Sequence, residues 1–295
     1  MKVLITGKDG QLGMSLQKLA FKESEHTNHK NKSKFVFIGR EDLDLDSKAN
    51  IEKYFKKNKF DIIINCAAYT AVDKAESEIK KAYQVNDLAV KQLAQTCKQK
   101  SMKFIHISTD YVFDGTGTKP HMESGVTNPI NIYGKSKLSG ERGVLKIMEK
   151  NALIIRTSWV YSEFGNNFVK NIIKLGHQRN ELNIVNDQIG SPTYAADLAS
   201  AITQIISNKK FKFFDFNSRI YNYSNAGNAS WYQFAYEIFN VMKIDCKVNP
   251  INSESYPTPA KRPKYTVLNA SLGSNEFGLE IHHWKKSLAR CLKLL

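Results

Sequence analysis

The chain has 295 residues, 42% hydrophobic and 24% charged, with a formal net charge of +15. That length allows one large domain or two interlocked ones around a substantial core, and no apolar run approaches the ~18 residues of a membrane span. The basic excess is dispersed, as in Glu52-Lys53-Tyr54-Phe55-Lys56-Lys57, and no nucleic-acid module pattern accompanies it, so it reads as solvated surface that helps attract an anionic ligand.

The first element is the apolar run of residues 2 to 6, followed by Gly7-Lys8-Asp9-Gly10-Gln11-Leu12-Gly13 and a helical pattern from Met14 to Lys22. This is strand, glycine turn, helix. The apolar start is too short for a signal peptide and leads directly into the glycines, so a cytoplasmic protein with neither membrane nor nucleic acid as partner is expected. Residues 23 to 34 read as a surface loop. Phe35 to Ile38 form a second strand ending at Gly39-Arg40, Ile51 to Lys57 a helix, and Asp61 to Asn65 a third strand. Glu76 to Lys100 reads as a long amphipathic helical stretch, Lys103 to Ile107 as a strand ending at Ser108-Thr109-Asp110, Tyr133 to Lys150 as a helix and Ala152 to Arg156 as a strand.

Strands alternating with helices and lacking hairpin signals predict an α/β fold, a doubly wound parallel sheet covered on both faces. Beyond residue 159 the pattern loosens. Helices are expected over 167 to 175, 194 to 207 and 231 to 242, a strand over Phe211 to Asn217, and a proline-containing loop over Pro250 to Pro263. The expected organisation is a dinucleotide-binding Rossmann-like domain over 1–158. Residues 159–295 are then mainly a smaller substrate-binding cap, with segments around 191–222 returning to the first domain. Cys66, Cys97, Cys246 and Cys291 show neither C-x-x-C nor metal spacing and read as free thiols.

Gly7, Gly10 and Gly13 follow a strand and open a helix, where backbone N–H groups and the positive helix end suit a pyrophosphate. Arg40, at the end of the second strand, suits the 2′-phosphate of NADP, where NAD would call for a carboxylate. Lys8 would assist it, and Asp44-Leu45 would line the adenine pocket. Tyr133 and Lys137 stand four residues apart in Tyr133-Gly134-Lys135-Ser136-Lys137, so a helix places them on one face. An ammonium one turn away favours phenolate and is expected to lower the tyrosine pKa, making Tyr133 a general acid.

Together the glycines and the Tyr133/Lys137 pair resemble the extended short-chain dehydrogenase/reductase family. Asn65 to Glu76, Ser108 to Gly115, Arg156 to Tyr161, Gly165 to Phe168, Asn186 to Thr193 and Tyr256 to Pro263 narrow the resemblance to the dTDP-4-dehydrorhamnose reductase family. It implies NADPH-dependent reduction (NADH being the other cofactor used) of the 4-keto group of dTDP-4-dehydro-6-deoxy-L-mannose to dTDP-L-rhamnose, for rhamnose-containing polysaccharide. Carried onto this sequence, the catalytic residues are Thr109, Tyr133 and Lys137. The cofactor would be held by Gly7, Lys8, Gly10, Gln11, Leu12, Arg40, Asp44, Leu45, Ala67, Ala68 and Tyr69, together with Tyr133 and Lys137. The nucleotide sugar would meet Val72, Thr109, Asp110, Trp159, Asn167 and Arg262. Some family members bind magnesium through acidic residues at a dimer contact; here Ser15 and Ala196 stand in those places, so no metal is expected, and the protein is expected as a monomer or homodimer.

Tyr111 follows Asp110 where a 4,6-dehydratase would carry Glu, and Arg40 is at odds with the tightly held NAD of an epimerase. Two alternatives stay open: a reductase of a related 4-keto-6-deoxy sugar nucleotide, and a non-catalytic NADP-binding regulatory subunit resembling the methionine adenosyltransferase β subunit.

Overall fold

The structure, a computed structural model, describes residues 1–25 and 33–295. The loop expected over 23 to 34 therefore falls largely outside the described residues. In the first half of the chain the order is β1 (Lys2–Thr6), α1 (Gln11–Glu25), β2 (Lys34–Ile38), α2 (Lys48–Lys57), β3 (Ile62–Asn65), α3 (Val72–Ala75), α4 (Ile79–Tyr83), α5 (Ala89–Gln99), β4 (Lys103–Thr109), α6 (Ile132–Ile147) and β5 (Ala152–Thr157). There follow β6 (Val160–Tyr161), α7 (Phe168–Gln178), β7 (Glu181–Val185), β8 (Ile189–Gly190), β9 (Thr193–Tyr194), α8 (Ala195–Ser207), α9 (Lys209–Phe213) and β10 (Arg219–Asn222). The chain closes with β11 (Ala229–Ser230), α10 (Trp231–Met242), β12 (Lys247–Ile251), α11 (Ser271–Phe277) and α12 (Trp284–Leu292).

Among the described residues, six strands form one parallel sheet in the order β10-β5-β4-β3-β1-β2. The apolar runs have no polar alternation because both faces are covered. On one face Val3, Ile5, Ile62, Ile64, Ile105 and Leu153 meet Leu16 of α1 and Leu198, Ile202 and Ile205 of α8. On the other, Leu4, Ile63, Phe104 and Ile154 meet Phe55 of α2, Leu93 of α5 and Val144 of α6. A separate core gathers Tyr161, Ile172, Leu182, Phe234, Ile238, Trp284 and Leu288 from the elements after β5. The connections from β1 run outward to β2 and then across to β3, so strand order reverses beside β1, where open α/β sheets leave a crevice at the strands' carboxyl ends.

Two element expectations are corrected. The helical stretch expected over Glu76 to Lys100 is helical from Ile79 to Gln99, but not as a regular α-helix throughout: α4 passes through a π-helical turn at Gln84–Leu88 into α5. The extra residue per turn lets Asn86 reach inward, its amide bonding both Tyr69 O and Ser136 Oγ. Phe211 to Asn217 is not a strand. Asn208 caps α9 by accepting from Lys210 N at 2.9 Å, Phe211 is buried, and Lys103 Nζ holds the carbonyl oxygens of Phe211, Lys212 and Phe214. The edge strand is β10, which pairs with β5. Among the described residues no helix is long and apolar enough to cross a membrane.

Candidate active site

A cleft of about 720 Å³ opens at the carboxyl ends of β1, β3, β4 and β5. Its floor is built from the glycine turn. Gly7 has φ +71°, and a Cβ there would stand 2.8 Å from Ala67 N, so only glycine lets the turn meet the backbone after β3. Gly13 sits inside α1 with its would-be Cβ 2.2 Å from Gly7 O. The first turn of α1 carries no acidic residue, leaving its amides and positive end toward the cleft. Gln11 ties this turn to later chain: its Nε2 donates to Val160 O at 3.2 Å, and its Oε1 accepts from Ser162 Oγ and Asn167 Nδ2 at 3.0 and 2.9 Å.

Two buried hydroxyls on the cleft wall, Ser108 Oγ and Thr157 Oγ1, have no hydrogen-bond partner among the described residues. Unmet buried donors are costly and suit a polar guest. The glycine cradle, the helix end and these hydroxyls fit a dinucleotide lying across the strand ends.

At the far end, Arg40 is 70% exposed and faces Asp46 Oδ2 at 2.6 Å and Asp44 Oδ1 at 3.6 Å. Lys8 is paired with Glu41, whose carboxylate holds the lysine above its ordinary pKa. Any phosphate bound here exchanges with these acidic partners.

The reactive end is set by α6. Asn131 caps it, accepting from Gly134 N at 2.8 Å, while Ile132 N donates to Glu76 Oε1 at 2.8 Å. Gly134 is required by closeness rather than by φ: a Cβ would lie 2.1 Å from Tyr111 O. Tyr133 packs edge-on against Tyr111, centroids 5.7 Å apart, and borders the cleft with Thr109 and Lys137. Thr109 Oγ1 donates to Asp110 Oδ1 at 3.0 Å and accepts from Tyr111 N at 3.2 Å.

The expected lowering of the Tyr133 pKa is not what the structure shows. Burial pushes the phenol up to about 12, with a hydrogen bond to Thr109 opposing that rise. Lys137 is itself almost fully buried, donates to Ile107 O at 2.7 Å, and is pulled down to about 8 by loss of solvent, with Glu141 and Cys66 working the other way. Burial also raises the Asp110 carboxyl to about 6, opposed by hydrogen bonds to Thr266 and Thr109.

Of the residues expected from sequence, Gly7, Gly10, Gln11, Leu12, Arg40, Asp44, Leu45, Ala67, Ala68, Tyr69, Thr109, Asp110, Tyr133, Lys137 and Trp159 line this cleft. Lys8, Val72, Asn167 and Arg262 stand outside its lining. Val72 opens α3, and Asn167 caps α7 by accepting from Lys170 N at 3.2 Å. Arg262 is held by Asp73 through two bonds of 3.0 and 2.7 Å.

Trp159 has φ +46°, a strained conformation for a bulky residue. Its indole stacks on Trp231 at 3.4 Å and 3°, and Gly190 leaves the space for it, since a Cβ there would come within 2.5 Å of the ring. No local pattern marks Trp231 as part of this arrangement; its signal in the sequence is only that of a first-turn aromatic after the Ser230 cap.

The RmlD substrate binding domain family model matches residues 1–295. The chain belongs to the dTDP-4-dehydrorhamnose reductase family. It is 38% identical over 294 residues to the dTDP-4-dehydrorhamnose reductase of Sinorhizobium fredii, covering 98% of this chain and 96% of that one. Among solved structures, a dTDP-4-dehydrorhamnose reductase from Clostridium acetobutylicum superposes with TM-score 0.91 at 39% identity, covering 100% of this chain and 99% of the other. A Bacillus anthracis family member, solved in complex with NADP, gives TM-score 0.89 at 37% identity over 100% and 99% of the two chains.

Proposed function

We propose that this protein is an NADPH-dependent reductase of the 4-keto group of dTDP-4-dehydro-6-deoxy-L-mannose, forming dTDP-L-rhamnose for rhamnose-containing polysaccharide, and that it works in the cytoplasm. The observation that carries the reading is the meeting of Thr109, Tyr133 and Lys137 with the glycine cradle in one cleft, within a chain similar throughout its length to reductases of that name.

The cleft divides the work. Gly7, Gly10 and the start of α1 suit the pyrophosphate, Ala67 and Ala68 admit close approach, and Arg40 with Asp44 borders the adenosine end. When bound, NADPH supplies the hydride that reduces the sugar C4 carbonyl. The Tyr133 hydroxyl donates its proton to the C4 oxygen as negative charge develops there. A phenol kept near pKa 12 stays protonated at neutral pH, so the acid is always loaded. The Thr109 hydroxyl, turning its one proton from Asp110 Oδ1 to the guest, orients the same oxygen by hydrogen bonding. Charged Lys137 stabilises the phenolate left behind and is the group from which the tyrosine regains its proton. The flat Trp159 face suits the apolar side of a 6-deoxy sugar.

We further propose residues 1–158 as the cofactor-binding domain and 159–295 mainly as the cap, with the region around 191–222 shared between them. The return of β10 to the large sheet and the packing of α8 on α1 support that division. Lys8 as a cofactor contact, and Val72, Asn167 and Arg262 as contacts of the nucleotide sugar, belong to the same proposal, although they stand outside the cleft lining. Purified protein given NADPH and dTDP-4-dehydrorhamnose should consume the cofactor, and Tyr133→Phe should lower the rate at least about 100-fold while still binding NADPH. Undiminished turnover by Tyr133→Phe would remove Tyr133 from the acid role.

A further inference from the structure

Behind Lys137 lies a polar chain that the reaction as described does not use. Thr6 Oγ1 lies 2.6 Å from Asn65 Oδ1, Asn65 Nδ2 lies 3.1 Å from His106 Nδ1, and His106 Nε2 lies 3.4 Å from Lys137 Nζ. Asn65 and His106 come from neighbouring strands β3 and β4 and are paired in register. All four side chains are buried, His106 completely, and Phe104 stacks along the imidazole at 6.1 Å. In a buried histidine with a specific partner on each nitrogen, the partners set the tautomer, and that tautomer decides what the ring offers its neighbour.

We propose that His106 is the positioning residue of Lys137, and that the Thr6–Asn65–His106 chain reverses its hydrogen-bond direction when Lys137 gains or loses its proton. In the arrangement shown, Thr6 donates to Asn65 Oδ1 and the Asn65 amide donates to His106 Nδ1. The ring proton is then on Nε2 and meets the lone pair of a neutral Lys137 amine. When Lys137 is an ammonium, its Nζ donates to Nε2, the ring proton sits on Nδ1, and the Asn65 amide turns over to accept it. The Thr6 hydroxyl serves either orientation because it both donates and accepts. No net proton enters or leaves the chain beyond the one on Lys137.

The consequence is geometric. An ammonium has three donors: Ile107 O takes one at 2.7 Å and His106 Nε2 takes a second, which leaves the third directed to the cleft and Tyr133. Without His106 the ammonium could rotate, and its charge would rest on one carbonyl. The other titratable groups around Lys137 are Cys66 after β3, Tyr133 one turn back on α6, and Glu141 one turn on, which is already bound to Arg156 of β5 at 2.7 Å. Burial drives His106 well below the ordinary imidazole value and Lys137 down to about 8, so the lysine is the member of the chain that changes charge.

The need for a charged Lys137 rests on the reductase reading; the chain itself does not, and the test separates them. In cofactor-free protein, ¹⁵N NMR of the His106 ring should show a neutral imidazole from about pH 6 to pH 9, protonated on Nδ1 at the acid end and on Nε2 at the alkaline end. Lys137→Met should hold it on Nε2 throughout. An identical tautomer in both proteins at pH 6, or a ring that becomes cationic there, would overturn the proposal. In turnover, His106→Leu should lower kcat about tenfold and move the alkaline fall in kcat down by about one pH unit, while His106→Gln, which restores an acceptor, recovers most of the rate. Equal losses in the two variants with an unmoved pH profile would also overturn it. A tautomer change without any turnover of the keto sugar would support the chain and count against the reductase reading.

Discussion

At the residue scale, the tyrosine and the lysine divide the labour differently from what their spacing suggests. Spacing places Lys137 one turn from Tyr133 and invites the inference of a lowered phenol pKa. In the folded protein both groups are dominated by loss of solvent, which raises the phenol and lowers the ammonium. That has a measurable cost. Because the folded-state value of Lys137, about 8, lies below its ordinary 10.5, the folded protein binds fewer protons than the unfolded chain between those values, so this group's contribution makes stability rise as pH rises from about 8 to about 10.5. Below that window the full penalty is in place. Lys137→Met should therefore be more stable than the native protein at pH 7, by about 2 kcal/mol once the lost bond to Ile107 O is set against roughly 3 kcal/mol of relieved burial. Urea unfolding followed from pH 7 to 10 should show that gain shrinking with pH, and a variant less stable at every pH would contradict it.

The residues that bear chemistry by type and spacing could be found in the sequence: the glycines, Arg40, Thr109, Tyr133 and Lys137. Trp231 and His106 could not. Their importance comes from stacking on Trp159 and from meeting Lys137 between β4 and α6, relations between distant positions that no local pattern carries.

At the scale of elements, the strand ends were the most legible part. Apolar runs closed by Gly7, Gly39, Asn65 and Thr109 read correctly because both faces of a parallel sheet are buried, which leaves little besides strand for such runs to form. The misreadings have physical causes. Phe211 and Phe213 alternate with lysine like a half-buried strand, yet Phe213 and Phe214 are 67% and 66% exposed and the segment turns around Lys103 instead. The long helical stretch expected after Glu76 keeps its amphipathic period through α4 and α5, but tertiary demand for Asn86 at the Tyr69 backbone opens a π-turn between them. Helix α6 is placed by contacts rather than by propensity. Gly134→Ala would drive a Cβ into Tyr111 O, with no flexible side chain able to yield. It should lower stability by about 1–3 kcal/mol and lower kcat further by shifting Tyr133, while Ser139→Ala, farther along α6, should leave both near native. Thermal unfolding and steady-state rates check this, and a Gly134→Ala protein with native Tm and kcat would refute the tight placement of α6.

At the scale of the whole molecule, the sheet, the separate core built after β5 and the cleft between strand ends and Trp159 form a site whose two ends ask separate questions, which dinucleotide and which sugar. The dinucleotide question turns on Arg40. Although paired with Asp46, it is exposed, and an exposed ion pair exchanges partners at small cost. Arg40→Ala should raise the Michaelis constant for NADPH about tenfold and leave that for NADH nearly unchanged; equal effects would take Arg40 out of the phosphate site. The basic surface is consistent with steering an anionic nucleotide sugar toward the cleft, a contribution that should fade with added salt.

The central claim is that this cleft moves hydride to a sugar carbonyl. The measurement that reaches it most directly uses NADPH deuterated at the transferable C4 position, dTDP-4-dehydrorhamnose, and NMR of the sugar product. The account predicts deuterium at sugar C4 of dTDP-L-rhamnose with the native protein and a rate at least about 100-fold lower with Tyr133→Phe. NADPH that binds but keeps its deuterium, with the keto sugar returned unchanged, would contradict it.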